Sequence, residues 1–145
     1  MAVHVLAVLA FKQGDPASSD LLASSINTNP VIVRRLLLVL KRAKLIETRK
    51  GAGFGSRLSR SPARINLAEV YRAVEAKEAF AMPPRRPNEH CPVGHGIRAA
   101  LESVFASAQR ALENDLERTS LAMVIEAVQA PPRPGRAKHE KGPRY

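Results

Sequence analysis

The segment of residues 28–42 constrains the fold of this chain most, because it contains an amphipathic helix together with the signal that starts it. Thr28 or Asn29 can cap this helix, and Pro30 suits its first turn, where a missing backbone N–H costs nothing. The apolar stripe consists of Ile32, Val33, Leu36, Leu37 and Leu40, and the basic residues outside it are Arg34, Arg35, Lys41 and Arg42. Such a helix suits recognition of the major groove of DNA, although a surface helix with solvated arginines carries the same pattern.

The residues before this segment predict two more short helices. Residues 3–13 are apolar at helical spacing, and residues 14–16, Gly-Asp-Pro, end that helix. Ser18 or Ser19 caps a second helix that extends to about residue 25, with Leu21, Leu22 and Ile26 expected in the core. Residues 26–28 form a tight turn into the third helix. Three short helices joined by short turns predict a helix-turn-helix arrangement.

A glycine-rich segment follows the third helix and predicts a β-hairpin. Residues 45–49 have β character, residues 50–55 form a basic tip that contains three glycines, and residues 56–58 return. A phosphate-binding loop would need these glycines inside a βαβ unit, which the sequence lacks. The hairpin is therefore expected to be a wing. Phe54 at its tip is either a small hydrophobic cap or a wedge against nucleic-acid sugar.

The second half of the chain predicts a long helix that needs a partner. Asn66 can cap a helix over residues 67–76, and the proline-rich residues 82–87 are typical of a linker. Residues 92–119 then form a helix about 40 Å long, at 1.5 Å per residue. Its apolar stripe and expected dimer interface consist of Ile97, Leu101, Val104, Ala108 and Leu112. A second copy of the chain would cover this stripe; packing on the first helix is the alternative, and both can hold at once.

The formal net charge of +10 is concentrated at the two ends of the chain. Residues 1–60 hold 10 Lys or Arg against 3 Asp or Glu, and residues 131–145 hold 5 against 1. The cationic N-terminal lobe favours nucleic acid as a partner, with a membrane surface as the competing anion. The sequence has no signal peptide and no apolar run long enough to span a bilayer. A single cysteine excludes an intramolecular disulfide framework and fits a reducing cytoplasm.

Cys91 lies between His90 and His95 at the start of the predicted long helix. A thiol at a helix N-terminus can have a lowered pKa, so Cys91 is a candidate redox switch or metal ligand. The alternative is a small apolar residue packed where the linker meets the helix. These three side chains lack the spaced pairs that mark zinc sites, so no metal site is assigned. No Ser/His/Asp or paired-carboxylate arrangement is present, and an enzyme is not expected.

Five segments carry a family resemblance when they are taken in order: TNPVIVRRLL at residues 28–37, AKLI at 43–46, GAGFGSRLSR at 51–60, INLAEVYRAVE at 65–75 and CPVG at 91–94. Over residues 2–129 the chain resembles the Rrf2 family of bacterial transcription regulators. The resemblance implies a winged helix-turn-helix lobe, a long dimerisation helix and a homodimer on palindromic promoter DNA. The family includes iron–sulfur sensors and members that hold no cluster.

Three features depart from the family pattern. Cluster-binding members carry three cysteines between the lobe and the dimerisation helix, whereas this chain has Cys91 alone and cannot supply three thiolates. Phe54 stands where the family usually has a glycine, so the groove contact of the wing is expected to differ. The family's first helix normally begins several residues earlier. Met1 falls inside that helix here, so either the gene start is wrongly assigned or this member is clipped.

The predicted fold is mainly α with a small β-hairpin wing. A winged helix-turn-helix lobe is expected over residues 1–76, a linker over 77–91, a dimerisation helix and a short C-terminal helix capped by Ser120 over 92–130, and a disordered basic tail over 131–145.

The expected function is repression of transcription by a cytoplasmic homodimer on pseudo-palindromic double-stranded DNA, without a cofactor and with Cys91 as a candidate redox site. Non-specific cationic nucleic-acid binding is the alternative. The candidate DNA-binding residues are Thr28, Asn29, Pro30, Val31, Arg34, Arg35, Lys50, Gly53, Phe54 and Arg57.

Overall fold

The computed structural model describes residues 1–49, 54–75, 79, 82, 85, 87–88 and 90–130. Within these residues the fold is mainly helical with one small antiparallel hairpin, as predicted. The elements in chain order are α1 (Ala2–Phe11), α2 (Ser19–Ser25), α3 (Pro30–Arg42), β1 (Ile46–Arg49), β2 (Gly55–Leu58), a 3-10 turn (Pro62–Arg64), α4 (Leu67–Val74), α5 (Pro92–Glu117) and α6 (Leu121–Gln129). The predicted helices end within about two residues of these bounds, which is the usual uncertainty at helix ends.

Side-chain caps fix where α2, α3, α4 and α6 begin. The Asn29 side chain accepts a hydrogen bond of 2.8 Å from the backbone N–H of Val31, so Asn29 rather than Thr28 caps α3. Ser18 rather than Ser19 caps α2. Asn66 and Ser120 cap α4 and α6 as predicted. Each cap satisfies a backbone N–H that the first helical turn leaves without a partner, so these polar residues set the register of the apolar faces that follow.

The core lies where α1, α2, α3 and α4 meet the base of the hairpin and the start of α6. The largest fully buried side chains are Leu6, Leu9, Leu22, Leu40, Leu45, Ile65, Leu121, Val5, Val33 and Val70. Most members of the predicted α3 stripe contribute to this core: Val33 and Leu40 are buried, and Leu36 and Leu37 pack against them. The underside of α3 is therefore covered, and its opposite face is free.

Two expectations about core residues are wrong. Leu21 is 43% exposed and Ile32 is 46% exposed. In each case the neighbour one position further along the helix, Leu22 or Val33, takes the buried position. Successive helical residues are about 100° apart, so the lobe covers one of them and leaves the other outside. Val74 and Val128, near the ends of α4 and α6, are exposed as well.

The wing is anchored to the lobe through a third backbone segment. β1 pairs with β2 in register from Ile46 opposite Leu58 to Arg49 opposite Gly55. Ser56 of β2 also exchanges two backbone hydrogen bonds of 2.9 Å with Ala17, in the loop between α1 and α2. Ala17 thus acts as a one-residue edge strand. The hairpin is therefore held on one side by the loop that precedes α2, and on the other side β1 follows α3.

Replacement of Gly55 by alanine is expected to destabilise the wing and the lobe together. Gly55 has φ +153°, and a Cβ there would lie 2.8 Å from the carbonyl oxygen of Ala17. Both the backbone conformation and the close approach exclude a side chain, so Gly55→Ala should lower the free energy of unfolding by about 1–3 kcal/mol. Urea denaturation measures it. Gly96→Ala is the matched control, because a Cβ at that helical glycine meets nothing within 4 Å. Equal loss in both variants would contradict the assignment.

A polar cluster joins the long helix to the lobe. Arg72 of α4 donates to Glu113 at 2.8 Å and to Glu117 at 2.6 Å, both on α5. Gln109 donates to Glu113 and lies 3.4 Å from the Tyr71 hydroxyl. The Gln109 amide, and then the Arg72 guanidinium, hold the pKa of the Glu113 carboxyl below its usual range. This cluster fixes the C-terminal half of α5 against α4, so the orientation of the long helix is coupled to the lobe that contains α3.

Candidate nucleic-acid interface

The N-terminal end of α3 is presented at the surface by the turn that precedes it. Asn27 has φ +50°, a left-handed conformation that asparagine tolerates, and the backbone N–H of Thr28 donates to the Ala23 carbonyl at 3.0 Å. Asn29 and Val31 are exposed, and Thr28 and Pro30 are half-buried. The four predicted residues at this end therefore lie together at the start of the helix. A helix N-terminus at the surface favours anions such as phosphate and places its first side chains where they can reach base edges.

The face of α3 opposite the core combines apolar and basic side chains. Val31, Arg35, Leu38 and Arg42 follow one another at helical spacing, and all four are exposed, Leu38 by 59%. Among the described residues, Arg35 has no hydrogen-bond or ion-pair partner. Arginine can donate two hydrogen bonds to guanine, and small apolar side chains can contact the methyl group of thymine. This outer face thus has the chemistry that reads bases.

Arg34 differs from its neighbour Arg35 because its guanidinium is already held by α2. Its Nε donates to the Ser19 hydroxyl at 3.1 Å, and Nη2 lies 3.6 Å from an Asp20 carboxylate oxygen. Both charged groups stay largely exposed, so the ion pair is screened by solvent and contributes little to stability. The contacts instead restrict where the Arg34 guanidinium can lie. The two adjacent arginines therefore occupy different surroundings on the flank and on the outer face of α3.

The wing contributes two described candidate residues. Phe54 is 65% exposed and lies near Leu37 and Leu38 of α3, across an open cleft. Arg57 pairs with Glu47 of β1, directly opposite in the hairpin, and is about one-third exposed. Its charge is therefore shared with a carboxylate rather than free for a phosphate. Lys50 and Gly53, the remaining predicted residues of the tip, lie outside the described residues.

Sequence reasoning missed residues that the fold brings to this surface. Leu38 and Arg42 complete the outer face, and Ser19 and Asp20 hold Arg34 from the neighbouring helix. The repeat of exposed positions at steps of four, three and four from Val31 could have identified the first pair. Nothing local in the sequence could have identified the second pair, because those contacts join residues fourteen or fifteen positions apart.

The predicted dimerisation stripe remains accessible on α5. Ile97 and Val104 are exposed, and Leu101, Ala108 and Leu112 are half-buried. No residue of this 26-residue helix is fully buried within the described part of the chain. The contacts with α4 involve Gln109, Glu113 and Glu117, which lie on a different face of the helix. Within the described part of the chain the apolar stripe is therefore only partly covered, and Ile97 and Val104 are its exposed members.

Cys91 lies at the N-terminal cap of α5 and is exposed, which excludes the packed thiol that was one of its predicted roles. The backbone N–H group of Gly94, and to a smaller extent that of Val93, lowers the pKa of the Cys91 thiol, although the thiol does not form a capping hydrogen bond.

Within the part of the chain that the structure describes, no three His, Cys, Asp or Glu side chains come together as a metal-binding group. None of the described helices has the length and apolar character needed to cross a membrane.

Comparison with known proteins gives one consistent family. The sequence pattern of the Rrf2 family, described as an iron-dependent transcriptional regulator, matches residues 1–127. YwnA of Bacillus subtilis strain 168, which carries the name of an HTH-type transcriptional regulator, is 42% identical over 125 residues, which cover 86% of this chain and 92% of YwnA.

Solved structures agree with this result. A crystal structure of a protein described as DNA-binding is 40% identical, with a TM-score of 0.70 over 86% of this chain and 95% of that chain. CymR, described as the global cysteine regulator of B. subtilis, shares the fold at 20% identity, with a TM-score of 0.64 over 87% of this chain and 91% of CymR. The single cysteine of this chain cannot provide the three thiolates of an iron–sulfur cluster site.

Proposed function

The chain belongs to the Rrf2 family of transcriptional regulators, and from that premise we propose that it is a cytoplasmic homodimeric repressor of a pseudo-palindromic operator. The main support for this proposal is the set of exposed residues on the outer face of α3. There Arg35 has no described partner and stands between exposed Val31 and Leu38. Duplex DNA offers such a face both guanine acceptors and thymine methyl groups. A repressor bound to an operator within a promoter would prevent RNA polymerase from binding to that promoter.

The competing function is non-specific cationic binding to any nucleic acid, supported by the net charge of +10. Fragments of the source genome retained by the purified protein distinguish the two. Operator recognition predicts that a few promoter fragments stay bound in a large excess of unrelated duplex, since specific sites typically bind about 10³–10⁷ times more tightly. A reporter joined to such a fragment should be expressed more strongly when the regulator gene is deleted. If unrelated duplex displaced every fragment equally, the non-specific function would stand instead.

Replacement of Arg35 by alanine is expected to change which sequences are bound. Loss of a guanidinium that reads guanine should cost about 1–3 kcal/mol and relax preference at one base pair of each half-site. The measurement is the affinity for a retained fragment and for its single-base variants. Arg118→Ala, which removes an exposed charge next to the C-terminal end of α5, is the control and should leave preference unchanged. An unchanged base preference in Arg35→Ala would remove Arg35 from the base-reading surface.

Dimerisation through α5 is the second part of the proposal. The stripe from Ile97 to Leu112 is long and apolar, and its exposed members include Val104 at 59%. A second copy in a symmetric arrangement would bury both stripes against each other and present two α3 helices to two half-sites. The ion pairs of Arg72 with Glu113 and Glu117 of α5 support this arrangement. Through them, the relative orientation of the two α5 helices in a dimer would determine the orientation of each lobe.

A charge placed in this stripe is expected to weaken the dimer. Leu101→Glu or Val104→Glu would leave a carboxylate buried without a partner, at a cost of several kcal/mol, on the order of 3–5. Light scattering over a concentration series measures the shift toward monomer. Ser103→Glu is the matched control, since Ser103 is exposed on the same helix but lies outside the stripe. A dimer of unchanged stability in both stripe variants would place the interface elsewhere.

A redox response through Cys91 is the third part. Its support is an exposed thiol whose pKa is lowered by nearby backbone N–H groups, because a larger thiolate fraction reacts faster with peroxide. Peroxide would oxidise the thiolate to a sulfenic acid with release of hydroxide, and a small thiol would then form a mixed disulfide with release of water. No resolving cysteine exists in the same chain.

Mild peroxide is expected to change operator affinity in the wild type and not in Cys91→Ser. The start of α5 joins the helix to the segment that leads back to the DNA-binding lobe, so a group added there would tilt one lobe against the other. Binding curves for both proteins, with and without peroxide and a small thiol, measure the effect. Equal affinity in all four conditions would leave Cys91 without a sensing role, and the signal would have to come from another part of the protein.

A further inference from the structure

An open cleft of about 280 Å³ between the flank of α3 and the wing has the composition of a small-molecule site. Its apolar lining includes Leu37, Leu38 and Phe54, and its charged groups are Arg34 and Lys41. No carboxylate is among the described residues that line it. Small-molecule sites are mostly apolar with a few polar groups that orient the ligand, and their volumes begin at roughly 300 Å³. The cleft therefore suits a small ligand that carries a negative charge.

The floor of the cleft is backbone that hydrogen bonds hold in place. Ala17 and Ser56 exchange two hydrogen bonds of 2.9 Å there. Gly55 approaches Ala17 so closely that a Cβ would lie 2.8 Å from the Ala17 carbonyl oxygen. On the facing side, the burial of Val33 and Leu40 fixes α3 against the core. A site with walls already in place loses less conformational entropy on binding, so this cleft favours a rigid ligand.

The apolar side chains of the cleft are largely open to water. Phe54 is 65% exposed, Leu38 is 59% exposed, and Leu37 is half-buried. A flat apolar group placed between the wing and α3 would remove surface of all three side chains from water, which is favourable. Phe54 can also pack against an aromatic ring in an offset or edge-to-face arrangement. The apolar part of the ligand is therefore expected to be an aromatic ring.

Arg34 supplies the anion-binding group. Its Nε donates to the Ser19 hydroxyl at 3.1 Å, and Nη2 lies 3.6 Å from an Asp20 carboxylate oxygen. A guanidinium has five N–H donors, so these contacts leave donors for a ligand carboxylate, which can accept two of them side by side. Asp20 is 70% exposed, so water screens its charge. Lys41, two helical turns further along the same flank, adds a second positive charge to the site.

We propose that this cleft binds a small aromatic carboxylate and that this ligand competes with DNA. The carboxylate pairs with Arg34, and the ring lies between Phe54 and the two leucines of α3. The competition rests on the proposed function, because Arg34 and Phe54 are also candidate DNA contacts. A ligand that occupies them lowers the affinity for DNA, and DNA lowers the affinity for the ligand by the same factor. An aromatic carboxylate thus acts as the inducer that releases the repressor.

Calorimetric titration of the full chain with 1-naphthoate, in the absence of DNA, tests the site. One molecule should bind per chain. Naphthalene-1-carboxamide has the same ring without the charge and should bind about tenfold more weakly or worse, since a hydrogen bond to a charged group is lost. Acetate has the charge without the ring and should give no heat of binding. The proposal would be overturned if naphthoate did not bind, or if the amide bound equally well.

Variants locate the bound naphthoate. Arg34→Gln should weaken naphthoate about tenfold and leave the affinity for the amide unchanged, because only the ion pair is lost. Phe54→Ser should weaken both ligands alike. Arg118→Gln is the matched control, because it removes the same charge from an exposed position next to the C-terminal end of α5. Thermal unfolding of each variant checks that the lobe is folded. If Arg34→Gln bound naphthoate no more weakly than Arg118→Gln, the assignment of the cleft would be wrong.

The competition is measured as the ratio of DNA affinities with and without naphthoate, which cancels any effect of a variant on DNA binding itself. At a naphthoate concentration that just saturates the wild type, DNA affinity should fall several-fold in the wild type and much less in Arg34→Gln. Naphthoate that bound without changing DNA affinity would overturn the competition and remove the cleft from the DNA-binding surface.

The outcomes also separate this inference from the function on which it rests. Naphthoate binding by a protein that retains no fragment selectively would support the ligand site and contradict the operator. Selective retention of promoter fragments by a protein that does not bind naphthoate would support the operator and overturn the ligand site.

Discussion

The burial of one face of α3 is the contact on which the rest of the structure depends. Val33 and Leu40 are completely buried, and the helices on either side, the hairpin base and α6 all assemble around the same core. Because an α-helix has a single direction for each side chain, fixing these two residues also fixes where Arg34, Arg35 and Leu38 lie. The outer face is therefore a consequence of the core rather than a separate feature.

Contacts between distant segments then hold the wing and neighbouring side chains around this helix and form the proposed DNA-binding surface. Ala17 pairs with Ser56 and holds the wing beside α2, and Ser19 and Asp20 hold Arg34. At the other end of the lobe, Arg72 connects α4 to two carboxylates of α5. A dimer built on α5 would thus determine the distance between two copies of α3 through a short, direct series of contacts.

The sequence predicted the parts of the fold that local chemistry decides. Asn29, Asn66 and Ser120 are strong cap residues, and each begins the helix that was expected. The exposure of Leu21 and Ile32 was missed, because the apolar pattern gives the width of a helical face and not which edge the lobe covers. The hydrogen bond from Arg34 to the Ser19 hydroxyl was missed for a related reason, since this contact depends on how α2 packs against α3. Cys91 is exposed rather than packed, because it lies at the N-terminal cap of α5 and not on an apolar face of the lobe.

Sequencing of the DNA that the purified protein retains from a random duplex pool would test operator recognition by a dimer in one measurement. The arrangement described here predicts an inverted repeat whose half-sites are centred about one helical turn, or a multiple of it, apart. Retention should persist when unrelated duplex is added. Sequence recognition by the outer face of α3 would be contradicted if no motif were enriched and retention of the pool depended only on the salt concentration.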